Sequence, residues 1–404
     1  MLKRTKIILP RLALLAAAFS WTALPAGIAA AQTSAPAAMP RFEVDPSWPH
    51  IPNGWTLGQV ASVAADAKSH IWVLQRPRTI RPGEHTGPPV LEFDEQGQYI
   101  MGWGGPGPGY DWPQSEHGIY IDDQGYVWIV GSGNDDQVLK FTSTGQFVLQ
   151  IGHPRPAKSN RDTTQFWKPT DLAVSPATHE VFISDGYGNR RVVVFDAMTG
   201  KFVRMWGAFG HPPEDSPIVG EGGAKAHASE PADRIPAKNL SADDPGPPQL
   251  DTVHGLKLSH DNLIYVADRG GKRVQVFTTA GKYVQQVFVD RWCEAPGGSN
   301  AFCGNGQTAS SVAFSSDPEQ RFLYVASRSP DRIWVFDRKT LAPLTRFGRP
   351  GVAPGEFYAL HEIATDSEGN LYTAEVEDAR RVQKFVFKGI VTAPTDSGAL
   401  IDER

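Results

Sequence analysis

Cysteine is nearly absent from this 404-residue chain: there are two, Cys293 and Cys303, both in the segment RWCEAPGGSNAFCGNG. They lack the C-x-x-C spacing and the basic neighbours of a reactive thiol pair, so in an oxidising compartment they are expected to close one small loop as a disulfide. Long apolar runs are missing beyond the first 31 residues, which excludes a membrane span. Positive charge is not in excess, with 39 Lys and Arg against 44 Asp and Glu. That balance argues against nucleic acid and anionic membrane as the main partners. The glycine-rich stretch GWGGPGPGYDWPQ at 102–114 opens no helix and is not a phosphate loop.

Turn formers are abundant instead. Forty glycines and 33 prolines are too many for a helical bundle and suit many short strands joined by turns, so the fold class is expected to be all-β. The first 31 residues differ from the rest: Lys3, Arg4, Lys6 and Arg11 precede the apolar run from Leu12 to Leu24, and Ala29, Ala30 and Ala31 offer a cleavage site before Gln32. This pattern predicts a secretory signal peptide over 1–31 and an exported protein, periplasmic or secreted, with no cysteine at the cleavage site to take a lipid.

Internal repetition dominates the remainder. HGIYIDDQGYVWIVGSGNDDQVLKFTSTGQFVLQIG from His117, TDLAVSPATHEVFISDGYGNRRVVVFDAMTGKFVRMWG from Thr170 and HGLKLSHDNLIYVADRGGKRVQVFTTAGKYVQQVF from His254 share one grammar. Further copies start at Ser310 and His361, and a degenerate one starts at Ala61, which makes six. Each alternates β-branched and aromatic runs with Asp-Gly, Glu-Gly, Thr-Gly or Asp-Asn turns, the period-two signature of a four-stranded antiparallel sheet. Such a sheet cannot bury both faces alone, and six in tandem bury them by packing radially around a channel, so a six-bladed β-propeller is predicted. The phrasing of the copies resembles the NHL repeat family across 55–389. Residues 32–54 read as an extended lead-in, 211–250 as an insert loop over one face and 390–404 as a C-terminal tail. A closed propeller has no edges to hide, so a monomer is expected.

Three of the 11 histidines, His117, His254 and His361, fall on one repeat position that opens the first strand of blades two, four and six; blades one, three and five carry Ala61, Thr170 and Ser310 there. The first strand is innermost, so this position faces the channel, and alternate blades stand about 120° apart. Three imidazoles would then converge as the ligand set of a catalytic zinc site with one open position. The ends of the second strands also rise toward the channel mouth. There Arg76 and Arg269 are candidates for binding a substrate carboxylate, and Tyr187 is a candidate acid or base if a cation stabilises its phenolate. Arg190, Arg191, Arg273, Arg332 and Arg381 recur at an equivalent position and read as scaffold.

VFISDGYGNRRVVVF, IYVADRGGKRVQVF and the blade-opening His-Gly pairs resemble the peptidyl-α-hydroxyglycine α-amidating lyases. The resemblance implies a propeller that splits a C-terminal α-hydroxyglycine into an amide and glyoxylate. It implies zinc on His117, His254 and His361, Tyr187 as the catalytic tyrosine of the DGY motif, and Arg76 and Arg269 as active-site arginines. The chain departs from the family pattern at Ala359, where the family has methionine, and at Gly188, where it has a half-cystine. It departs also at Glu362, where the family has an aspartate that helps hold a structural calcium ion. The expected function is therefore a zinc-dependent lyase of the amidating type, or the same chemistry on a related small substrate. A calcium-type metal-dependent hydrolase such as a lactonase, and a non-catalytic propeller that binds a peptide, glycan or envelope protein, are the alternatives.

Overall fold

The computed structural model describes residues 38–133, 136–215, 244–293 and 307–392. The signal-peptide segment, most of the insert, Cys303 and the end of the tail lie outside the described residues. Twenty-four strands form six four-stranded antiparallel sheets, and two short 3-10 turns are the only helical elements among the described residues. The protein is a six-bladed propeller. Among the described residues no helix is long and apolar enough to cross a membrane.

Five blades are built from consecutive strands. The sixth is not: the strand Ala38–Asp45 pairs antiparallel with Arg381–Thr392 and becomes the outermost strand of the last blade. The segment read as a lead-in therefore closes the ring, and the last strand runs three residues into the segment read as a tail. Residues 244–250 of the insert are pinned, because the Arg273 guanidinium donates to the carbonyls of Pro245, Pro247 and Gln249.

The apolar core is divided into six pieces, each lying between two neighbouring blades. Trp72, Leu74 and Val90 of blade one pack on Ile119, Ile129 and Phe141 of blade two. At the seam, Val63, Ile71 and Phe93 of blade one meet Tyr372, Ala374 and Val382 of blade six. Each sheet thus buries both faces against its neighbours, which accounts for the near-continuous apolar runs in the second strands.

The innermost strands carry the feature that builds the site. In all six, the register with the second strand slips by one residue, between Val60 and Ser62, Glu116 and Gly118, Pro169 and Asp171, Val253 and Gly255, Ala309 and Ser311, and Leu360 and Glu362. The unpaired residue is Ala61, His117, Thr170, His254, Ser310 or His361. A β-bulge leaves one side chain out of the alternating pattern and re-aims it, here at the repeat position that carries the histidines.

Candidate functional site

The three bulged histidines meet. Ring centroids are 4.8 Å apart for His117 and His254, 4.6 Å for His117 and His361, and 4.6 Å for His254 and His361. All three are buried, and they form a group whose ligand atoms could hold a metal ion.

The orientation of each ring is set by the following blade. Nδ1 of His117 lies 2.8 Å from the carbonyl oxygen of Thr170, Nδ1 of His254 lies 2.7 Å from that of Ser310, and Nδ1 of His361 lies 2.6 Å from that of Ala61. A carbonyl only accepts, so each Nδ1 carries the proton and each Nε2 presents a lone pair. The small residues on alternate blades are thus the orienting partners of the histidines on the others. That role escaped the sequence, although the shared repeat position carried the signal. Burial first, and then the charges of Arg76, Arg269 and neighbouring rings, hold all three imidazoles well below their usual pKa and so neutral. Neutral, Nδ1-tethered imidazoles are the form that ligates zinc.

Tyr187 closes over this triangle, its hydroxyl 3.2 Å from Nε2 of His117 and 3.1 Å from Nε2 of His254. The flanking glycines make the approach possible. A Cβ on Gly186 would stand 1.9 Å from the carbonyl oxygen of Val253, and one on Gly188 would stand 2.1 Å from the Trp167 indole. The Trp167 ring therefore fills the space that a half-cystine at position 188 would need.

Arg269 is buried with its guanidinium 5.1 Å from the Tyr187 ring centroid, and its Nε has no partner. Arg76 donates from Nε to the carbonyl of Glu116 at 2.8 Å and from Nη1 to Gln59 at 2.9 Å, which fixes the backbone just before His117. The structure brings together all six residues expected at the site. Arg191, Arg273 and Arg381 instead pair with Asp185, Asp268 and Glu375 and brace the blades.

Glu362 already has a lysine in its neighbourhood. Its Oε2 accepts from the Ser311 hydroxyl at 2.5 Å, and the nearby Asp171 accepts from the Lys257 ammonium at 2.6 Å and from the Leu256 amide at 2.9 Å. Burial alone would lower the Lys257 pKa, yet Asp171 and Glu362 hold it above the ordinary value. A cation is thus already in place here, while Glu362 Oε1 and Asp171 Oδ1 are buried with no hydrogen-bond partner. A cavity of 360 Å³ opens over the later halves of the inner strands, and its lining includes Tyr120 and Lys257 but none of the three histidines. The converging histidines lie at the other end of those strands. A second group that could hold a metal, Asp66, His70 and Glu92, sits partly open on blade one.

No family model matches the chain. It is 29% identical over 247 residues to the mouse peptidyl-glycine alpha-amidating monooxygenase, covering 57% of this chain but only 22% of that protein. Homologues of this chain include amidating lyases and NHL-repeat proteins. Human NHL repeat-containing protein 3 is 27% identical over 360 residues, 85% of this chain and 84% of its own length. A solved streptogramin B lyase shares the fold, with a TM-score of 0.50 and 10% identity over 86% of this chain and 98% of that one.

Proposed function

We propose that this propeller is a zinc-dependent C–N lyase of the amidating type, acting after export on a peptide or smaller molecule that ends in an α-hydroxyglycine. The observation that carries the reading is the triangle of Nδ1-tethered imidazoles with a tyrosine hydroxyl within hydrogen-bond reach of two of its Nε2 atoms. The lyase homologues support the same reading. His117, His254 and His361 would hold the metal, and a bound zinc ion would supply Lewis-acid polarisation of the carbinol hydroxyl.

The protein's own groups account for the proton. Tyr187 Oη takes the hydroxyl proton, the carbon–oxygen double bond of glyoxylate forms, the C–N bond breaks, and the same proton passes from Tyr187 to the departing amide nitrogen. In this reading Arg269, beside the ring, would stabilise its negative form, and Arg76 would bind the substrate carboxylate. The buried site keeps water from competing.

The test is glyoxylate release from α-hydroxyhippurate by zinc-loaded protein. We expect turnover and about one zinc per chain in the wild type, loss of both in His254→Ala, and in Tyr187→Phe retention of zinc with kcat reduced about 10²–10⁴-fold. Wild-type protein that binds no transition metal and releases no glyoxylate would overturn the reading in favour of a binding propeller.

A further inference from the structure

Arg76 and Arg269 have a third counterpart. In blades one to six the residue just before the bulge pairs with Gln75, Gly131, Asp185, Asp268, Ser327 and Glu375, and the residue after that partner is Arg76, Ser132, Gly186, Arg269, Arg328 and Val376. Arg328 therefore occupies the repeat position of the two site arginines. It is joined to Arg269 through one residue: the Thr308 amide donates to the Arg269 carbonyl at 3.1 Å, and the Arg328 amide donates to the Thr308 carbonyl at 2.9 Å. The three guanidiniums share one neighbourhood, since Arg328 opposes the charge of both Arg76 and Arg269.

Their counter-charges are few. Among the described residues no carboxylate forms an ion pair with Arg76 or Arg269, and the buried Nε of Arg269 has no partner. Arg328 pairs with Glu377 of the next blade, but the Glu377 side chain is 51% exposed while that of Arg328 is 14% exposed. An exposed carboxylate held only at its tip is an exchangeable partner, whereas a substrate carboxylate can meet a guanidinium fork with two parallel bonds. One substrate carboxylate, on the carbinol carbon, would leave this arc of positive charge under-compensated.

We propose that Arg328 is the specificity-determining residue for a second anionic group on the acyl side of the substrate, displacing Glu377. The substrate class is an N-acyl-α-hydroxyglycine whose acyl part ends in a carboxylate. This rests on the lyase reading for the reaction but not for the anion subsite, so the two are tested apart.

Calorimetry on the metal-loaded protein compares glutarate with butyrate, and glyoxylate release compares N-succinyl-α-hydroxyglycine with α-hydroxyhippurate. We expect the dianion of each pair to be favoured by about tenfold or more, the preference to vanish in Arg328→Met, and Glu377→Gln, which frees Arg328, to tighten glutarate. Equal binding of glutarate and butyrate, or a preference that survives Arg328→Met, overturns the proposal even if glyoxylate is released. An Arg328-dependent preference for glutarate with no glyoxylate from either substrate leaves the subsite standing and removes the lyase.

Discussion

A histidine binds a metal only through a nitrogen that carries no proton, and in this protein the backbone decides which nitrogen that is. Three carbonyls from alternate blades hold the Nδ1 protons, so the three Nε2 atoms are committed before any ligand arrives. The identities of these histidines, of Tyr187 and of the two arginines were legible because six copies of one unit let each position be compared with five others. Lys257 was not legible, since a lone lysine in a strand carries no pattern by itself; Arg328 shares the repeat position of Arg76 and Arg269, and only its link to Arg269 through Thr308 needed the structure. Asp136 was hidden for the same reason. It is buried, its Oδ2 has no partner, and burial first and then Asp185 push its carboxyl up to about 7, against a hydrogen bond from the Lys168 amide. The folded state thus binds more protons than the unfolded state between 3.8 and about 7, and stability falls as pH rises through that window and levels off above it. Asp136→Asn cannot ionise. Its Tm should rise relative to wild type by more at pH 8 than at pH 5 in thermal scans, and an equal shift at both values would contradict the assignment.

At the scale of the strand, the bulge does the placing. Pure alternation would put neighbouring residues on opposite faces, while the extra residue in each innermost strand turns one side chain into the channel. Period-two runs announced the strands, yet a bulge has no composition of its own and shows only in the register. The glycines after His117 and His254 are its trace in the sequence: a Cβ on Gly118 would stand 2.5 Å from the Thr170 carbonyl oxygen, and one on Gly255 would stand 2.8 Å from that of Ser310. These are the same carbonyls that orient the rings. If the three histidines hold zinc as proposed, Gly118→Ala should weaken its binding by about 10–100-fold in a chelator competition while leaving the β-sheet signal in circular dichroism intact. Unchanged zinc affinity would mean that the Thr170 carbonyl does not position His117.

For the molecule as a whole, stability is distributed over six cores between blades, and the ring is only as strong as its seam. The repeat count foretold six blades, but not that the segment from Ala38 would supply the missing strand of the last one, because a proline-rich stretch before the first repeat has no copy to be compared with. Phe42 anchors that strand, its ring 5.6 Å from Tyr324, 5.5 Å from Phe347 and 5.9 Å from Phe387. Phe42→Ala should lower the unfolding free energy by about 2–4 kcal/mol in urea titrations, with a single transition if the seam and the rest unfold together. Two separated transitions would show that the blades hold without closure.

The pairing of Ala38 with Thr392 also sets a timetable. During synthesis the closing strand emerges first and must wait, unpaired and with Phe42 exposed, until the final strand has been made. Loops spanning nearly the whole chain close slowly. Until that pairing forms, the strand from Ala38 keeps an unsatisfied edge that a second copy or a holding chaperone could claim.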